Sequence, residues 1–118
     1  MAGAVHVPWY ATGFRADKLE AALAEIAPLA LRYGATSYAV YRYQDDRYKF
    51  LQVATFRSHE DWDAYWYGPE FSRFRELNSS YYQVPVLYQW TEVAAEGRLP
   101  YDPETGAPAA VGDAVTTS

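Results

Sequence analysis

Apolar and polar positions alternate in four stretches of the chain and recur at helical spacing in the stretches between them. Alternation with a period of two predicts strands, whereas apolar residues at every third or fourth position predict amphipathic helices. The predicted order of elements is therefore β-α-β-β-α-β. Strands are expected at residues 4–11, 35–44, 47–57 and 84–93, and helices at residues 17–33 and 58–78, the second broken at Gly68-Pro69.

Local signals predict where the helices begin and end. Asp17 with Glu20 three residues later has the pattern of a capping box, and Gly34 is a natural C-terminal residue for the first helix. Pro28 lies inside this helix and should kink it or begin a new turn. Ser58 is predicted to cap the second helix through its hydroxyl oxygen.

The two central strands are separated by Asp45-Asp46, a pair that favours a turn of two-residue hairpin length. A β-α-β-β-α-β order normally gives an α+β, ferredoxin-like protomer, with a four-stranded antiparallel sheet and both helices on one face. The third and fourth strands carry apolar or aromatic residues on both faces. Because no third helix is predicted to cover the second face, we expect a homodimer that pairs sheet to sheet.

Length and composition limit the classes of protein. The 118 residues allow one domain, and the 50% apolar fraction excludes a disordered chain. The absence of Cys removes disulfides, thiolate metal sites and any cysteine nucleophile. A net charge of -5 argues against nucleic-acid binding. No apolar run has the length of a membrane span or signal peptide, so we expect a soluble, cytoplasmic protein.

The composition changes near residue 96. Residues 1–95 are expected to form the folded domain. Residues 96–118 contain several Pro and Gly residues, show no helical or strand period, and hold one basic and four acidic side chains. We therefore predict a flexible acidic tail, with docking to a larger assembly as one hypothesis for its role.

Aromatic residues are the outlier in composition, with 12 Tyr, 5 Phe and 4 Trp. Such rings pack in cores and also line ligand pockets and interfaces. Trp62 and Trp66 lie one turn apart on the second helix, a spacing that core packing explains and that a pocket would also use. Tyr38 and Tyr41 on the hairpin fit either a pocket wall or cross-strand aromatic pairing.

The two histidines are the candidate bases. His6 alternates with Tyr10 on the first strand, so it points into the barrel if the intervening residues face the helices. An imidazole there could take a proton from a phenolic substrate and raise its reactivity toward dioxygen; the alternative is a solvated or hydrogen-bonded structural histidine. His59 lies in the first turn of the second helix, where side chains normally project into water. The two histidines have no metal-ligand spacing, so no metal site is expected.

The segment from Thr55 to Phe71 has an aromatic residue at a strand end, a capping Ser, acidic residues in the first helical turn, and Gly-Pro-Glu-Phe before the next helical stretch. These features resemble the antibiotic biosynthesis monooxygenase-like family. The resemblance covers residues 4–93 and implies a dimeric α+β barrel, in which ferredoxin-like protomers pair through their sheets. It also implies a monooxygenase-like enzyme that needs no cofactor and acts on a planar aromatic molecule of the phenol or quinol type.

Within this resemblance, His6 is the candidate base. Tyr65 stands where many members of the family carry His, and it is the second candidate catalytic residue. Haem degradation, which some relatives perform with an inward Trp and an axial His, is not favoured because no His lies near Trp66. The expected substrate contacts are Tyr10, Tyr38, Tyr41, Trp62, Trp66 and Phe71.

A non-catalytic homodimeric module that binds a hydrophobic ligand or a partner protein is the alternative. It is favoured because the chain lacks the histidines on which a His-dependent mechanism of the family relies. The fold implied by the resemblance hosts both enzymes and proteins of other kinds, so it does not choose between the two functions.

Overall fold

Four strands and three α-helices follow one another in the predicted order, and the computed structural model describes residues 2–100. Most of the predicted tail, residues 101–118, lies outside the described residues. The elements are β1 (Gly3–Tyr10), α1 (Ala16–Ile26), β2 (Ala35–Arg42), β3 (Lys49–Phe56), α2 (His59–Trp66), α3 (Pro69–Asn78) and β4 (Gln89–Thr91).

All strand pairs are antiparallel, and the strands lie side by side in the order β2-β3-β1-β4. Alternate residues of β1 and β3 are buried beneath the helices, and the intervening residues lie on the opposite face. This confirms the α+β, ferredoxin-like arrangement. The buried face holds Val5, Val7, Trp9, Phe50, Gln52, Ala54 and Phe56.

The first helix changes character at the predicted position. It continues past α1 as a 3₁₀ helix, Ala27–Tyr33, with Pro28 in the first turn, where a missing N–H costs nothing. Gly34 ends it with a φ of 98°, in the left-handed region. The backbone conformation therefore favours glycine, and a Cβ at this position would lie 2.5 Å from a carboxylate oxygen of Asp61 and would have to displace that side chain.

The predicted capping box of the first helix is wrong. α1 begins one residue before Asp17 and has no side-chain cap. Asp17 and Glu20 instead accept hydrogen bonds from Nη1 of Arg42, at 2.8 and 3.0 Å. The cap of α2 is confirmed, because the Ser58 Oγ accepts a hydrogen bond from the backbone N–H of Asp61 at 3.1 Å.

Two strand boundaries differ from the prediction. Residues 43–48 connect β2 to β3 instead of a two-residue turn, although Asp46 still turns the chain by accepting hydrogen bonds from the backbone N–H groups of Tyr48 and Lys49. The last strand is much shorter than residues 84–93, because only Gln89–Thr91 pairs with β1. The preceding residues run without secondary structure.

Candidate functional site

The structure separates the predicted site residues by the face of the sheet on which they lie. The open face carries His6, Tyr10 and Tyr41, and the core between sheet and helices holds Trp62, Tyr65, Trp66 and Phe71. His6 is therefore not brought together with the buried aromatic residues that were expected to hold the substrate. Tyr38 is on the helix-facing side, but it lies on the edge strand β2 and is exposed.

His6 points away from the helices, as its alternation predicted. It is half-buried and pairs with Val53 of β3 and Gln89 of β4. Within residues 2–100 no hydrogen bond holds its imidazole. The ring is therefore available to whatever covers this face, and its role as a base stays a prediction.

Aromatic rings in mutual contact fill the space between sheet and helices. The Trp66 ring centroid lies 4.5 Å from that of Phe71, 5.2 Å from that of Trp62 and 6.1 Å from that of Trp9. These separations are typical of packed aromatic pairs. The rings of Trp62, Trp66 and Phe71 therefore pack as part of the core.

A buried polar network runs through this core. Gln52 accepts a hydrogen bond from Nε1 of Trp9 at 3.0 Å and donates one to the hydroxyl of Tyr65 at 3.2 Å. That hydroxyl donates to the backbone carbonyl of Ile26 at 2.7 Å. Burial raises the pKa of Tyr65, and the hydrogen bond from Gln52 acts in the opposite direction with less effect. The Tyr65 hydroxyl is thus held neutral and fully engaged, and a catalytic role for it stays a prediction.

A groove of about 610 Å³ runs between α1 and α3. Small residues on α1 leave the space, and larger apolar residues of α3 form the opposite wall. Phe74 lies at the floor and contacts Trp9 and Phe71 at 5.6 and 5.2 Å between ring centroids, so the groove rests directly on the aromatic core. Its apolar lining is Ala21, Ala22, Ile26, Leu29, Phe74 and Leu77.

Charged side chains also line the groove: Lys18 and Arg73 are cations, and Glu25 and Glu70 are carboxylates. Glu70 is fixed by a hydrogen bond donated by the Tyr33 hydroxyl, and this bond raises the pKa of Tyr33. Glu25 makes no side-chain hydrogen bond among the described residues. The groove therefore combines an apolar floor with charges of both signs.

The sequence pattern alone does not reveal this groove. The helical pattern placed Leu77 in a stripe with Phe71 and Phe74, yet Leu77 is 66% exposed whereas the other two are buried. What indicates the groove is an exposed Leu on one helix that faces small residues on another. This arrangement can be recognised only when the packing of α1 on α3 is known.

Two further findings concern the part of the chain that the structure describes. It has no helix long and apolar enough to cross a membrane. It also has no cluster of three or more His, Asp or Glu side chains arranged to hold a metal ion.

Solved structures share this fold, whereas no family model and no curated protein matches the sequence. SnoaB from Streptomyces nogalater, described as a cofactor-independent oxygenase, superposes with a TM-score of 0.68 at 14% identity over 84% of this chain and 97% of SnoaB. A protein from Nitrosomonas europaea, whose name marks it as a candidate antibiotic biosynthesis monooxygenase, superposes with a TM-score of 0.71 at 12% identity over 79% of this chain and 90% of its own. Rv0793 from Mycobacterium tuberculosis superposes with a TM-score of 0.70 at 18% identity over 83% of this chain and 100% of Rv0793. At these identities the likeness establishes the fold, and it confirms the resemblance to monooxygenase-like proteins at that level.

Proposed function

We propose that this protein binds a planar aromatic molecule in the groove between α1 and α3 and oxidises it with dioxygen, as a monooxygenase-like enzyme that needs no cofactor. The groove carries the proposal, because its volume of about 610 Å³ and its apolar lining with a few charged groups are typical of small-molecule sites. The reaction class is supported by the likeness in fold to SnoaB, which is named a cofactor-independent oxygenase.

The proposed substrate is a phenol or quinol. In the net reaction of a phenol, one oxygen atom of dioxygen enters the ring to give a quinone, and the other leaves as water. The positive charges of Lys18 and Arg73 favour the phenolate, which is the electron-rich form that reacts with dioxygen. Glu25 is the proposed acceptor of the phenol proton, because Glu70 is already occupied by Tyr33.

The groove and His6 lie on opposite faces of the sheet, so a His6→Ala variant separates two locations for the chemistry. Under the groove proposal, this variant keeps the wild-type rate of oxygen uptake with a phenol substrate. Loss of turnover with an unchanged oligomeric state would move the site to the open face and would support His6 as the base.

We further propose that the open face of the sheet pairs with the same face of a second copy. Its residues Pro8, Leu51, Val53 and Tyr41 are apolar and incompletely buried in the protomer. Light scattering should therefore give twice the chain mass of 13.4 kDa. A Val53→Glu variant should be monomeric, while Ala24→Glu, an exposed position on α1, should remain dimeric.

The filled aromatic core favours a second candidate function, a homodimeric module that binds the aromatic ligand without converting it. The contacting rings of Trp62, Trp66 and Phe71 occupy space between sheet and helices, and the groove is open where Leu77 is 66% exposed. Reactive intermediates are better protected in closed sites, so an open groove suits binding as well as it suits turnover.

Both functions are tested by titrating the full chain with polycyclic phenols and quinols, with calorimetry for binding and an oxygen electrode for turnover. Ala21→Trp fills the groove from an exposed position, and Ala24→Trp is the matched control because it is exposed on the same helix outside the groove. We expect Ala21→Trp to lose binding and oxygen uptake and Ala24→Trp to keep both. Binding without oxygen uptake would support the module, and full activity in Ala21→Trp would exclude the groove.

A further inference from the structure

His6 lies near the middle of the open face of the sheet, the side that points away from the helices. It belongs to β1, an inner strand, and its cross-strand neighbours are Val53 of β3 and Gln89 of β4. Ala4 and Pro8 flank it on its own strand. These neighbours are apolar or uncharged, so no adjacent residue offers a negative charge to a protonated imidazole.

The open face as a whole carries little charge. Among the charged side chains of the four described strands, Lys49 alone lies on this side, and it pairs with Tyr10, about 13 Å along the strand from His6. None of the 15 Asp and Glu residues of the chain lies on this face of those strands. The other residues of the face are uncharged: Ala4, Pro8, Ser37, Ala39, Tyr41, Leu51, Val53, Thr55, Gln89 and Thr91.

The size and charge of this face favour a second copy of the chain as the partner that covers it. Eight residues of β1 pair with β3, so with about 3.3 Å per residue and about 4.8 Å between strands the four-stranded face measures roughly 500 Å². Exposed patches of this size mark protein interfaces. The chain has a net charge of -5, so two copies repel each other across most of their surfaces. A face without strand carboxylates lets them approach without this repulsion.

We propose that His6 makes this pairing sensitive to pH: two copies associate through the open face while both imidazoles are neutral, and protonation separates them. This inference rests on the dimer proposed above. In a two-fold pairing each face meets the same set of residues, so the strands of the second copy bring no carboxylate to His6 in any register. Burying a charge without a partner is costly, whereas a neutral imidazole can be covered at little cost.

The other titratable groups on this face do not compete for this pH range. They are Tyr10, Tyr41 and Lys49, with the Asp46 carboxylate at the end of the face, where it accepts a hydrogen bond from the Tyr10 hydroxyl at 2.8 Å. Tyrosine, lysine and aspartate side chains ordinarily keep their charge state between pH 5.5 and 7.5. Histidine is the side chain that ordinarily changes charge there.

The expected size of the effect follows from the ordinary titration of an imidazole near pH 6.5. Between pH 7.5 and 5.5 the neutral fraction of such a group falls about tenfold. Each copy contributes one imidazole that must be neutral in the dimer. The dissociation constant of the dimer should therefore rise about 100-fold over this range.

Sedimentation velocity on the full chain, over a concentration series at pH 7.5 and 5.5, measures this change. The chain has two histidines, so each can be removed in turn. His6→Gln keeps a neutral polar side chain and should give a dissociation constant that varies less than about threefold with pH. His59→Gln is the matched control and should keep the 100-fold change, because His59 lies on α2, where its ring stacks on Trp90 at 3.8 Å between centroids.

The outcomes separate this inference from the dimer on which it rests. A dimer that is equally tight at both pH values, or a pH dependence that His6→Gln retains or His59→Gln removes, would overturn the role of His6 and leave the dimer standing. A monomer at both pH values would overturn both. Oxygen uptake plays no part, so failure of the proposed oxidation does not affect this inference.

Proton uptake on dilution supplies a second test, on the unmodified chain, in case His6→Gln disturbs the pairing. Dilution calorimetry at pH 6.0 in two buffers of different ionisation enthalpy counts the protons taken up as dimers dissociate. We expect about 1.5 protons per dimer, because an ordinary imidazole is about three-quarters protonated at this pH and the dimer holds two. Dissociation without proton uptake would overturn the proposal.

Discussion

The Tyr65 hydroxyl takes part in two hydrogen bonds of the buried network. Its removal therefore measures how much this group contributes to the free energy of unfolding. Tyr65→Phe deletes one oxygen atom and leaves Nε2 of Gln52 and the carbonyl of Ile26 without that partner. Each buried group left unpaired costs about 1–3 kcal/mol. The Ile26 carbonyl has a second lone pair and lies in a helical segment, so its cost should be small. For the two groups together we expect a loss of about 2–3 kcal/mol in the free energy of unfolding.

Urea unfolding followed by circular dichroism measures this loss directly. In a domain of this size, the same loss lowers Tm by about 10–20 °C. Tyr38→Phe is the control, because Tyr38 is 41% exposed, lies off the open face, and its hydroxyl makes no hydrogen bond within residues 2–100, so we expect a change below about 0.5 kcal/mol. If Tyr65→Phe were as stable as Tyr38→Phe, the hydroxyl would not be holding the core together. If folded Tyr65→Phe also kept full oxygen uptake, a catalytic role for the hydroxyl would be excluded.

Three further predictions concern stability. Ser58→Ala should lower the free energy of unfolding by about 1 kcal/mol through loss of the α2 cap, and Ser58→Asp should restore most of it. Gly34→Ala should lower the free energy of unfolding by more than about 1 kcal/mol, because of the positive φ at Gly34 and the contact with Asp61. Gly13→Ala is the control and should change this free energy little, because a Cβ at Gly13 would have no neighbour within 4 Å. Equal effects of the two substitutions would contradict the role of backbone strain at Gly34. The pKa of Tyr65 is raised in the folded state, so the neutral hydroxyl contributes fully to the free energy of unfolding below pH ~10. As the pH rises further this contribution is lost, and the free energy of unfolding falls by up to about 1.4 kcal/mol per pH unit. Urea unfolding between pH 9 and 11 should show a smaller slope in Tyr65→Phe than in the wild type.

Signals that act within a few residues predicted the elements well. Gly34, Pro28 and Ser58 lie where the sequence placed them, because a left-handed φ, a missing N–H and a capping oxygen are local requirements. The capping box at Asp17 was wrong because Arg42, distant in sequence, competes for its carboxylate. A pattern of neighbours along the chain cannot anticipate such a partner.

The last strand shows the same limit. Alternation over residues 84–93 predicted a strand, but strand structure needs a hydrogen-bonded neighbour, and only Gln89–Thr91 has one in β1. Pro85 cannot donate to a ladder, and Tyr88 packs its ring on Trp62 and Trp66 instead. The sequence could not show that side-chain packing would replace pairing here.

Alternation predicted correctly that His6 faces away from the helices, because the period of a strand assigns each residue to a face. It did not show what fills the space on either side. Helical spacing of Trp62 and Trp66 favoured core packing over a pocket, and the ring contacts show that the two rings are packed. The groove depends on which faces of α1 and α3 meet, and the sequence does not specify this contact.

A crystal structure of the full chain with a bound planar quinol, grown without dioxygen, is the sharpest test of binding in the groove. We expect ligand density between α1 and α3, in contact with Ala21, Ala22 and Leu77, in a dimer that pairs through the open face of the sheet. Density beside His6 on the open face, or between sheet and helices with Trp66 displaced, would contradict the groove as the site of binding.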